Sequence, residues 1–256
     1  MLKRYTFQHG TIEISYLKWF TPREEFGDRY KPPLILLHGL ADCAVVWSSL
    51  AEYLVSEYDL IAPDLRGHGD SSKPETGYSS LEIISDLEAL LDHLGWERVQ
   101  VVGHSWGGKL ATIWATNNPQ RFASLILVDP FYVDKLPSWL KITFPFLYKV
   151  LPFLQGMGPF SSQEEAEKLA KKLKQYRQWT PLQQQVFRET IEPKTDGTWG
   201  SKFTTAARNQ IFTDVMQQSG LTKPLAIPVL FIQPTKGLNR TQLQLKPYKA
   251  YLQNLE

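Results

Sequence analysis

Gly103-His104-Ser105-Trp106-Gly107-Gly108 follows directly on the apolar run Val99-Gln100-Val101-Val102, and this order of residue types points to nucleophilic chemistry at a serine. The pattern is G-x-S-x-G after a β-branched strand and before a helical segment, a nucleophile elbow that lifts the serine hydroxyl clear of the backbone. Gly103, Gly107 and Gly108 are the residue type that a reversal of the chain in so few residues demands, because side chains flanking the serine would strike the neighbouring strand and helix. The first amides of the following helix lack partners within the helix and point at whatever Ser105 attacks. A second polar cluster, Asp64-Leu65-Arg66-Gly67-His68-Gly69-Asp70-Ser71, reads as a tight turn. There Arg66 is expected to tie down loop carbonyls or a carboxylate.

The elements that must position these residues follow from hydrophobic rhythm. Residues 4–20 alternate as two strands about His9-Gly10, whereas Leu34-Ile35-Leu36-Leu37 is a continuous apolar run, the mark of a strand covered on both faces. A helical pattern from about Val45 to Ser56, a strand at Tyr58 to Pro63 and a helix with Leu81, Ile84, Leu87, Leu90, Leu91 and Leu94 closed by Gly95 come next. The elbow strand, a helix from Trp106 to about Asn117 and a strand at Ala123 to Val128 continue the alternation. Repeated strand and helix imply right-handed crossovers and a mostly parallel sheet with helices on both faces. After Asp129-Pro130 the alternation lapses into helical segments at 163–178 and 203–218 with turn chemistry at Asp196-Gly197. It returns at Pro228 to Ile232, with a weaker helix at 245–255. The expected division is a sheet core at 1–130 and 226–256 and a helical cap at 131–225.

Composition narrows the function classes. The 256 residues are 43% hydrophobic with net charge +2 and both signs mixed, which suits one sizeable core and gives no nucleic-acid footprint. Cys43 is the single cysteine, so a disulfide framework and a thiolate metal cluster are excluded, and neither a metal nor an organic cofactor is implied. Met1 to Thr6 lacks the apolar stretch of a secretory signal, which makes cytoplasmic residence the expectation. Trp139 to Phe160 is the most lipophilic part of the middle of the chain, yet Pro145, Pro152, Pro159, Lys141 and Lys149 interrupt it. It is read as short buried cap helices rather than a span, with membrane contact through the cap as the minor alternative.

His38-Gly39 after the third strand, the Asp64 to Ser71 loop after the fourth and Gly103-x-Ser105-x-Gly107-Gly108 after the fifth, in this order and spacing, resemble the α/β-hydrolase superfamily over nearly the whole chain outside the cap. The resemblance implies a sheet of about eight strands, a cap often inserted after the sixth, and a serine, acid and histidine in that chain order. It makes Ser105 the nucleophile and assigns the backbone amides of Trp106 and Leu40 to the oxyanion. It also places the acid either after the seventh strand, where residues 233–240 hold no carboxylate, or at the end of the sixth, where Asp129 stands with Asp134 as second choice. All five histidines, His9, His38, His68, His93 and His104, precede or adjoin the elbow. The expectation is therefore a C-terminally shortened serine hydrolase acting on a small apolar ester or acyl compound. The alternatives are an inactive binding module on the same scaffold, an enzyme recruiting His38 or His68 as base, and an acyltransferase or carbon–carbon bond hydrolase. A serine at the elbow argues against epoxide and haloalkane chemistry, which in the resembling families uses an aspartate there. Trp139, Phe144, Phe146 and Trp179 are expected to fold over the pocket.

Overall fold

The computed structural model describes residues 1–21, 30–131, 134–135, 157–234, 246, 248–249 and 251. Leu2–His9 (β1) and Ile12–Trp19 (β2) form an antiparallel hairpin around Gly10, whose φ of 58° suits a residue without a Cβ. Pro33–Leu37 (β3), Asp59–Pro63 (β4), Val99–His104 (β5), Phe122–Val128 (β6) and Val229–Ile232 complete a seven-stranded sheet among the described residues. The order is β1-β2-β4-β3-β5-β6 followed by the strand at Val229–Ile232, and every pairing from β4 onward is parallel. Because the chain passes from β3 to β4 on one side and then returns across β3 to β5, the direction of winding reverses between β3 and β5. In parallel sheets that reversal opens a crevice at the carboxyl ends of the strands. His38-Gly39 and Ser105 stand at those two ends.

The continuous apolar run of β3 is explained by the layers on either side. Leu34 and Leu36 point into a core with Val45, Trp47 and Ala51, contributed by a 3-10 turn at Ala44–Trp47 and helix α1 (Ser48–Leu54). Ile35 and Leu37 point the other way, against helices α2 (Ser80–His93) and α3 (Trp106–Asn117). Helix α2 begins with a capping box in which Ser79 and Glu82 satisfy each other's backbone amides, and Gly95 follows its end at φ 70°. Its buried stripe is Ile83, Ile84, Leu87, Leu90 and Leu91. Leu81, which the sequence counts in that stripe, is 58% exposed because it sits in the first turn on the outward side.

The described residues of the segment expected as a helical cap hold helices α4 (Gln163–Ala170), α5 (Pro181–Thr190) and α6 (Thr205–Gln217). They also hold a strand pair, β7 (Ile191–Pro193) with β8 (Trp199–Ser201), turning at Gly197 with φ 81°, so the cap is not wholly helical. Three-residue strands are too short for a period-2 pattern to register, whereas Asp196-Gly197 did mark the turn. Ala207, Ile211 and Val215 of α6 join the same core as α2 and α3, which fastens this helix to the sheet. The strand Val229–Ile232, β9, pairs on one side with β6 and leaves Leu230 and Ile232 exposed. The greasy 136–156 stretch and most of 245–255 lie outside the described residues. Among those described, no helix is long and apolar enough to cross a membrane.

Candidate active site

Ser105 occupies φ 51°, ψ −118°, a backbone region that L-residues avoid, between the last residue of β5 and the first of α3. Four hydrogen bonds hold it there: its amide donates to the Val128 carbonyl at 3.0 Å, and its carbonyl accepts from Gly108, Lys109 and Phe131 at 3.0, 3.2 and 2.8 Å. The elbow glycines are steric necessities. A Cβ on Gly103 would lie 2.7 Å from the Gly107 carbonyl oxygen, one on Gly107 would lie 2.5 Å from that of His38, and one on Gly108 would lie 2.9 Å from Pro130. Strained backbone of this kind stores about 1–3 kcal/mol. Ser105→Gly is therefore expected to stabilise the fold by about 1 kcal/mol in urea denaturation, net of the flexibility glycine adds to the unfolded chain. A loss of stability would show the elbow to be relaxed.

The loop after β3 closes on this turn. A Cβ on Gly39 would stand 3.2 Å from Nδ1 of His104 and 3.4 Å from the Cβ of Ser105, a close approach, and Leu40, Ala41 and Asp42 continue the loop. His38 anchors it from below: Nε2 accepts from the Leu65 amide at 3.0 Å, which places the ring proton on Nδ1, donated to the Gly39 carbonyl at 2.7 Å. Both ring nitrogens are thus spent on backbone. His68 is stacked between Trp106 and Phe203, with Nδ1 3.1 Å from the Arg66 carbonyl. Burial lowers the pKa of both rings and keeps them neutral. Neither lines the crevice as a base for Ser105 would.

Asp64, fully buried, accepts from the amides of Ala44 and Asp70 and from Arg4. Arg66 forms a two-pronged pair with Asp86 at 2.8 and 2.7 Å and donates to the Gly77 carbonyl at 2.6 Å. The Asp64 to Ser71 loop is accordingly a clamp between strands and α2, with Arg66 holding both a carboxylate and a loop carbonyl.

Above the elbow lies a cavity of about 690 Å³. Leu40, Ala41 and Trp106 line its floor beside Ser105, and Tyr176, Leu182, Val186, Phe187, Ile211, Phe212 and Val215 from the cap line its roof and walls. Trp106 is the first residue of α3, so its amide belongs to the set that a helix leaves without internal partners. Trp179, expected over the pocket, packs behind this wall against Tyr176 and Phe187, while Trp139, Phe144 and Phe146 lie outside the described residues. The wall aromatics Tyr176, Phe187 and Phe212 give no sequence signal beyond helical amphipathicity.

Among the described residues, three titratable side chains share the cavity with Ser105: Asp42, His104 and Tyr176. Burial holds His104 below its ordinary pKa, and the charge of Asp129 opposes that shift. Burial pushes the Asp42 carboxyl up to about 7, with the Asp64 charge adding to the shift and the Cys43 amide, 3.0 Å away, opposing it. The sequence reading passes over Asp42, although its position four residues after His38, on the loop that closes on Ser105, is the signal that could have found it. Between pH 4 and 7 the folded chain binds a proton at Asp42 that the unfolded chain releases, so this group's contribution to stability is lost as pH rises through 7. With allowance for the opening onto the cavity, the loss is about 2 kcal/mol. Asp42→Asn is expected to be more stable than the wild type at pH 8 by that amount and to level with it near pH 4. An unchanged pH–stability profile in urea titrations would contradict the shift.

Asp129 stands at the end of β6 with φ 41°, its amide donating to the Ile232 carbonyl at 2.9 Å, one residue beyond the Val128 carbonyl that holds Ser105. Its charge acts on His104 and on Tyr248, and it is absent from the described cavity lining. Asp134 is exposed, its carboxylate accepting from Ser219 at 3.1 Å, away from the cavity. The structure thus brings together Ser105, Leu40 and Trp106 and sets Asp129 at the neighbouring strand end.

Comparison with known proteins agrees with this architecture. A 109-residue stretch is 40% identical to the soluble epoxide hydrolase of Corynebacterium sp. strain C12, covering 43% of this chain and 36% of that protein. A 152-residue stretch is 35% identical to epoxide hydrolase 3 of Siraitia grosvenorii, covering 58% and 43% respectively. The chain thus spans less than half the length of these curated relatives. The crystal structure of E-2-(acetamidomethylene)succinate hydrolase superposes with a TM-score of 0.77 at 18% identity, over 100% of this chain and 92% of that one. The family model for the alpha/beta hydrolase fold matches residues 32–254, from the strand before His38-Gly39 through the cap and beyond β9, and the chain belongs to that family.

Proposed function

We propose that the protein is a serine hydrolase acting on a carboxylic ester or related acyl compound through an acyl-enzyme on Ser105. The observation that carries this reading is the strained Ser105 at the floor of an apolar cavity, at the amino end of α3. In the proposed cycle the Ser105 oxygen bonds to the substrate carbonyl carbon, the carbonyl oxygen takes up the negative charge, and the amides of Trp106 and Leu40 donate to it. Each such donor is worth on the order of 3 kcal/mol in the transition state. Collapse breaks the ester bond, the serine proton leaves with the alcohol through a base, and water then releases the acid. Asp129 serves as the acid that orients the base. Cytoplasmic residence belongs to the same proposal.

A serine rather than an aspartate at the elbow directs the reading to acyl chemistry, in contrast to the names of the curated relatives. The engagement of both His38 nitrogens and the stacking of His68 favour one second reading, an inactive binding module on the same fold. Labelling with a fluorophosphonate tests between them: covalent modification at Ser105 supports the hydrolase. An unlabelled serine favours the module.

A further inference from the structure

Among the described residues no cation acts on Asp42. Its carboxyl accepts from the Cys43 amide, and the Asp64 carboxylate repels it. Tyr176 shares the cavity lining, and burial and the Asp42 charge both raise the pKa of its phenol. The described lining contains no lysine and no arginine, and the His104 ring is held neutral by burial. The remaining lining is mostly aliphatic and aromatic.

A carboxylate in such surroundings carries a desolvation penalty that, among the described residues, only the Cys43 amide offsets. A bound cation would relieve it, and a bound anion would add repulsion to it. From the cavity geometry we propose that Asp42 is a specificity residue that selects ester or acyl substrates bearing an ammonium group, with an apolar body filling the rest of the pocket. The inference rests on reading this cavity as the substrate pocket of Ser105. Asp42 lies two residues after Leu40 on the same loop, so the ammonium and the reacting carbonyl sit close together in the substrate. Nothing here requires Asp42 to exchange a proton with Ser105.

Equilibrium binding tests this without any chemistry at the serine. Trp106 lines the cavity, so its fluorescence reports occupancy by 4-phenylbutylamine, 4-phenylbutan-1-ol and 4-phenylbutanoate, three ligands of one shape and different charge. At pH 8 the amine is expected to bind at least roughly tenfold more tightly than the alcohol, and the carboxylate to be weakest. In Asp42→Asn the preference for the amine should shrink to within about twofold. If the alcohol or the carboxylate matches the amine in the wild type, the proposal is overturned, and that comparison decides even where the variant does not fold. A preference that survives in folded Asp42→Asn overturns it equally. Fluorophosphonate labelling of the wild type is scored separately. Labelled serine with no amine preference removes the Asp42 role alone, and amine preference with unlabelled serine removes the acyl-enzyme reading alone.

Discussion

Ser105→Ala is expected to abolish fluorophosphonate labelling and to lower ester hydrolysis by a factor on the order of 10⁴ to 10⁶. The size of the effect follows from the division of labour at the elbow. The nucleophile and its base act as a unit, so removing the hydroxyl removes the covalent route entirely. The amides of Trp106 and Leu40 would then still polarise a carbonyl for direct attack by water, which sets the residual rate. Alanine keeps the Cβ and with it the φ of 51° at this position, so the folded chain carries the same strain as the wild type. Its stability should therefore stay within about 0.5 kcal/mol, whereas Ser105→Gly gains. That contrast separates lost chemistry from lost structure. Labelling that persists in Ser105→Ala would transfer the nucleophile to another side chain and sink the proposed cycle.

The fold was legible because its signals are local and redundant. The uninterrupted run Leu34 to Leu37 declares a strand buried on both faces, and the two cores that divide its residues alternately bear this out. The capping box Ser79–Glu82 and Gly95 fix both ends of α2 within the sequence itself. Gly103, Gly107 and Gly108 are legible for a different reason. Each meets backbone or a proline within 3 Å of where a Cβ would stand, so the close approach leaves no alternative residue. The cavity is another matter. Tyr176, Phe187 and Phe212 lie on cap segments whose apolar residues look the same whether they face a core or a ligand, and the distinction is made by tertiary packing. Asp42 escaped notice because a single carboxylate after a glycine loop is ordinary in sequence. Its meaning comes from its place in the cavity lining with no cation acting on it among the described residues, which depends on parts of the chain far away. The histidines illustrate the converse: five candidates by type, of which the structure puts His104 at the cavity and commits His38 wholly to backbone.

The largest stability effect is expected at Asp86, outside the cavity. Its carboxylate is almost fully buried and receives both Nε and Nη2 of Arg66, along with Nδ1 of His9 at 2.9 Å. Arg66 in turn reaches the Gly77 carbonyl, so one guanidinium ties α2 and the loop before it to the Asp64 to Ser71 turn. The stacked His68 of that turn supports Trp106 at the cavity floor. Asp86→Ala leaves the arginine buried with its charge unpaired, and breaking a buried pair from one side costs about 3–5 kcal/mol. Set against a total stability of about 5–15 kcal/mol, that brings the chain close to its unfolding threshold. The midpoint in urea should fall steeply with the slope unchanged, since the surface exposed on unfolding is the same. Joint replacement, Arg66→Met with Asp86→Leu, removes both charges and keeps apolar volume in the clamp. It should recover a large part of the loss, short of the wild type, because the Gly77 carbonyl and His9 lose their partners. If Asp86→Ala instead shifts stability by less than about 1 kcal/mol, the clamp is a surface pair in energetic terms and the Asp64 to Ser71 loop is held by its other bonds, those of Asp64 and Ser71 among them.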